Sequence, residues 1–87
     1  MDTSSMIQWT PIYVGTVESY VARVSRTIRI ERGGGSFLRV ITTLLGSNEA
    51  IAIVGRTLKD LEERLVVKGR FTEAQARDIV RRILYRN

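Results

Sequence analysis

The chain has 87 residues with a net charge of +5, which is one domain with a small core and an excess of cations. It contains no cysteine and no histidine, so disulfides, thiolate chemistry, the usual zinc sites and a histidine base are excluded. No apolar run approaches 18 residues and the N-terminus lacks the pattern of a secretory signal, so a cytosolic (cytoplasmic) protein with no membrane partner is expected.

Residues 1–10 show no hydrophobic periodicity and read as a flexible N-terminal tail ahead of a single α/β domain over 11–87. Trp9 reads as an anchor at the end of that tail. Pro11 precedes Ile12-Tyr13-Val14-Gly15, a short strand closed by glycine. Val17, Tyr20, Val21, Val24 and Ile28 then recur at helical spacing, with Thr16 as a cap. Residues 26–32 alternate and read as a second strand; the alternative is one long strand from 17 to 32.

Gly33-Gly34-Gly35 is the clearest punctuation in the chain, and Ser36 after it is a natural helix cap. The apolar stretch Phe37, Leu38, Val40, Ile41, Leu44 and Leu45, closed by Gly46, predicts a helix buried on most sides. Ala50-Ile51-Ala52-Ile53-Val54 is a continuous apolar run and predicts a fully buried strand.

The last third predicts a helical hairpin. Thr57 opens one helix with the stripe Leu58, Leu61 and Leu65, ended by Gly69. Thr72 and Gln75 form a capping box for a second, whose apolar face is Ala76, Ile79, Val80, Ile83 and Leu84. Lys59–Glu63, Asp60–Arg64, Glu73–Arg77 and Asp78–Arg82 are opposite charges four apart. The expected architecture is an α/β (α+β) sandwich: a three-stranded sheet packed by helices in the order β-α-β-α-β-α-α.

The charge is not spread evenly. Residues 19–48 hold Arg23, Arg26, Arg29, Arg32 and Arg39 against Glu31 alone, a net +4 of the total +5. All but two of the fourteen basic residues are arginine, whose planar fork suits phosphate. This composition, with the absence of cysteine, also fits a thermophile. The glycine turn at a helix start would offer backbone N–H groups to an anion. The spacing is neither G-x-G-x-x-G nor a P-loop, so nucleotide chemistry is not indicated. Arg77, Arg81, Arg82 and Arg86 form a second basic group that reads as helix support. Adjacent Glu62 and Glu63 diverge on a helix and make no carboxylate dyad.

Over residues 12–54 the chain resembles the Alba family of archaeal nucleic-acid-binding proteins. The resembling pieces are Ile12-Tyr13-Val14-Gly15, the segment beginning Val17-Glu18-Ser19-Tyr20-Val21, and Ile28 through Ile41. The two C-terminal helices depart from the family. The resemblance implies a dimer that holds DNA or RNA through basic loops, with Arg32-Gly33-Gly34-Gly35 near phosphate.

The expected function is therefore non-enzymatic nucleic-acid binding, with no cofactor, metal or small-molecule substrate. The binding residues would be Arg23, Arg26, Arg29, Arg32, Gly33, Gly34, Gly35, Ser36 and Arg39. The alternative is a small structural or adaptor subunit of a larger protein or ribonucleoprotein assembly such as a ribosome.

Overall fold

The computed structural model describes residues 8–19, 24–44 and 48–85. Four strands, β1 (Thr10–Ser19), β2 (Val24–Arg32), β3 (Leu38–Thr43) and β4 (Ala50–Gly55), precede two helices, α1 (Leu58–Val67) and α2 (Glu73–Leu84). The strands form one antiparallel sheet in the order β1-β2-β3-β4, each beside its neighbour in sequence.

This overturns the expected three-stranded β-α-β-α-β-α-α arrangement. Of the stretch assigned to a first helix, Val17 lies in β1 and Val24 and Ile28 in β2, which are antiparallel partners, so a single strand over 17–32 is also excluded; Tyr20 and Val21 lie outside the described residues. The helix expected after Ser36 is β3.

Local chemistry explains the strands. β2 alternates Arg26, Ile28 and Ile30 inward with Ser25, Thr27 and Arg29 outward. β3 turns Leu38, Val40 and Thr42 to the core. Val40, Ile41, Thr42 and Thr43 are all β-branched, which suits a pleated surface better than a helix. β4 is an edge strand rather than a fully buried one: Ile53 is buried, whereas Ala50 and Ala52 are exposed.

The helices follow their caps. Thr57 accepts from the Asp60 N–H at 3.0 Å and starts α1. Thr72 and Gln75 complete a reciprocal capping box, with bonds of 3.0 and 3.1 Å, and start α2. Of the four expected charge pairs, Asp60–Arg64, Glu73–Arg77 and Asp78–Arg82 are seen as ion pairs.

Both helices cover the same sheet face. Leu61 and Leu65 of α1, and Ala76, Ile79 and Ile83 of α2, meet Val17, Ile28, Ile30, Leu38, Val40 and Ile53 of the sheet in one core, with Phe71 between the helices in sequence. Gly55 lets α1 approach closely, because a Cβ there would lie 2.9 Å from the Leu61 backbone. Among the described residues no helix lies on the opposite sheet face. Across it runs the row Val14, Arg29, Ile41 and Ala52, with Val14 69% exposed. Among the described residues, no helix is long and apolar enough to cross a membrane.

Candidate nucleic-acid interface

The triple-glycine turn connects β2 to β3 as a hairpin loop, closed by a Gly33 N–H to Phe37 O bond of 3.0 Å. It does not open a helix, so Ser36 is not a helix cap there. Gly35 has φ +70°, a conformation that favours glycine. Gly34, Gly35 and Ser36 are exposed.

The arginines counted together in the sequence separate in space. Arg23 lies outside the described residues. Arg26 is only 3% exposed and sits on the helix-covered face, where its Nε donates to Thr43 O at 2.8 Å and its guanidinium stacks 3.8 Å from the Phe71 centroid. Burial pushes its pKa below the ordinary arginine value. It is buried in the core.

Arg29 and Arg39 lie on the open face, on β2 and β3, with Glu31 between them. Arg29 Nε is 3.1 Å from Glu31 Oε2, and Arg39 Nη2 is 2.6 Å from Oε1. Glu31 is buried beneath the pair. One carboxylate thus offsets half of this charge. Arg39 also stacks on Trp9, 4.2 Å from the ring centroid, and the same ring lies against Gly33.

Arg32 is exposed at the end of β2. Pairing of Leu38 with Gly55 brings Arg56, just past β4, to the same end of the sheet. Its guanidinium lies 5.4 Å from the Phe37 ring. Two grooves flank the loop. One of about 640 Å³ is lined by Gln8, Thr10, Ile12, Arg32, Gly33, Gly34 and Phe37. The other, about 240 Å³, is lined by Arg32, Gly35, Ser36, Phe37 and Leu38. Neither lining contains a carboxylate. By contrast, the groove between the helices is lined by Glu62, Glu63 and Glu73 with Arg77.

Of the expected site, the structure therefore brings together Arg32, Arg39 and the Gly33–Ser36 loop, leaves Arg29 beside Glu31, and places Arg26 in the core. Sequence reasoning missed Arg56, Phe37 and Trp9 as neighbours of the loop. Their proximity follows from strand register: Thr10 opposite Arg32 places Trp9, and Leu38 opposite Gly55 places Arg56. In the second basic group Arg82 is structural: it bonds Tyr13 Oη, Thr16 O and Asp78 Oδ2 at 3.1, 2.9 and 2.8 Å, whereas Arg77 and Arg81 are exposed and Arg86 lies outside the described residues. Among the described residues no cluster of side chains is arranged to hold a metal ion.

No protein-family model, curated protein or solved structure matches this chain.

Proposed function

We propose that this protein binds nucleic acid, DNA or RNA, without catalysis, and holds the phosphate backbone at the β2–β3 hairpin end of the sheet. The observation that carries this reading is the convergence of Arg32, Arg39 and Arg56 around a glycine-built turn whose two grooves have no carboxylate lining. Guanidinium forks pair with phosphate oxygens, and small residues let a backbone approach. Phe37, which lines both grooves, offers a flat apolar surface to a base.

Trp9 is the chain's single tryptophan and touches both Gly33 and Arg39, so its fluorescence reports on this site directly. Titration with single- and double-stranded oligonucleotides across a salt series tests the proposal. Three phosphate contacts give a slope of log K against log salt of roughly −2 to −3. Affinity that stays flat from low to moderate salt overturns it.

The open sheet face favours a second reading, a structural or adaptor subunit of a larger assembly. Val14, Ile41 and Ala52 present apolar surface there that, among the described residues, no helix covers. A chain that aggregates alone, and becomes monodisperse only with a protein partner, favours that reading.

A further inference from the structure

The larger groove beside the hairpin loop offers more than charge. At about 640 Å³ it falls within the size range of ligand pockets. Its lining combines a cation, Arg32, with the apolar side chains of Ile12 and Phe37 and with Gln8 and Thr10, which both donate and accept hydrogen bonds. Phe37 lines the smaller groove as well.

A double helix gains little from such a surface. Its bases are stacked inside, and it presents phosphates and base edges. Phosphates need only the cations. Base edges are read by polar side chains, and the exposed loop Gly33-Gly34-Gly35-Ser36 carries a single hydroxyl. Aromatic and apolar walls contribute when base faces are accessible, as in an unpaired strand, where stacking on rings adds to phosphate contacts.

A second aromatic lies towards the same end of the molecule. Gln75 Nε2 donates to Glu18 O and Arg82 Nη1 to Thr16 O, so α2 runs antiparallel to β1. Its last turn therefore heads towards the end of β1 that holds Thr10, the residue paired with Arg32. Tyr85 closes that turn and is 85% exposed. Arg81, one turn before it, is exposed too. The acidic start of α2 at Glu73 lies at the other end, beside Glu18.

We infer that the bound nucleic acid is unpaired. A single strand runs from the hairpin loop towards the last turn of α2, with one base against Phe37 in the larger groove and another on Tyr85. Arg32 and Arg81 hold phosphates of the same strand. This inference rests on the phosphate site proposed above and adds the strandedness of its ligand.

The test is titration of the full chain, followed by Trp9 fluorescence, with oligothymidylate, oligouridylate and DNA and RNA duplexes of equal length, each across a salt series. One or both single strands should bind roughly ten-fold or more tightly than either duplex, given what one stacked base contributes. The two single-strand arms separate DNA from RNA. Phe37→Leu removes the ring and keeps an apolar side chain; Tyr85→Ser changes only an exposed one. Each should lower single-strand affinity by roughly five-fold or more and leave duplex affinity and the salt slope unchanged. Equal affinity for single strands and duplexes overturns the inference, as does a single-strand preference that survives both substitutions. In either case a steep salt slope leaves the phosphate site standing, whereas a flat salt response removes that site and the inference with it. Should Phe37→Leu fail to fold, the strand comparison in the parent chain and Tyr85→Ser decide: a preference that Tyr85→Ser reduces supports the inference, and one it leaves intact overturns it.

Discussion

Replacing Glu31 by glutamine tests how the open face restrains its charge. Glu31 is 4% exposed and accepts from Arg39 Nε at 2.8 Å and from Arg29 Nε at 3.1 Å. Removing one member of a fully buried ion pair costs about 3–5 kcal/mol, because the other charge is left desolvated. Here Arg39 and Arg29 keep 25% and 50% of their side-chain surface in water, so both hydrate once released. Glutamine also retains one acceptor oxygen. The expected loss is therefore about 1–2 kcal/mol, and at ~4–8 °C per kcal/mol for a domain of this size the melting midpoint falls by roughly 5–15 °C. Urea unfolding followed by circular dichroism should show a lower midpoint with an unchanged slope. The same substitution frees two guanidiniums, so nucleic-acid affinity should rise and its salt dependence steepen. A variant within about 0.5 kcal/mol of the parent would refute the stability argument. Lower stability with unaltered binding would show that Arg29 and Arg39 do not touch the ligand.

Gly55→Ala forces a Cβ to within 2.9 Å of the Leu61 backbone, and overpacking of this kind costs about 1–3 kcal/mol, measurable in the same urea assay. Asp60 bonds the Arg64 side chain and the Arg56 N–H, and these interactions, Arg64 foremost, hold its carboxyl below the ordinary value of 3.8. A depressed carboxyl pKa contributes stability that is present above the unfolded value and lost as pH falls through the folded one. Asp60→Asn should therefore flatten the pH dependence of unfolding below pH 3.8 and leave that near neutrality unchanged in slope.

The helical third was legible because its signals are local. Thr57, Thr72 and Gln75 cap with their own side chains, and leucines three and four apart define one helix face. The strands were harder for a definite reason. Val17, Val21, Val24 and Ile28 are mostly four apart, and a spacing of four is also two strand repeats, so it does not by itself separate helix from strand. Residues 20–23 contain no glycine, asparagine or proline, so nothing in the sequence marked a boundary between β1 and β2. Residues 37–45 are apolar on both strand faces, which blurs the alternation of β3.

The candidate site was legible only in part. The glycine loop and Arg32 were found from composition. Summing charge along the chain could not reveal that Arg26 faces the core or that Glu31 stands between Arg29 and Arg39, because both depend on which sheet face each residue takes. Arg56 and Trp9 are distant in sequence and join the loop only through the antiparallel register.

The most direct test of the central claim compares salt dependence in the parent chain and in Arg32→Ala/Arg56→Ala, with Trp9 fluorescence as the readout. Binding through the hairpin end predicts that the double variant binds more weakly to every oligonucleotide and that its salt slope is shallower by roughly 2, about one per lost phosphate contact. An unchanged slope with unchanged affinity would contradict the assignment of this end of the sheet as the phosphate-binding site.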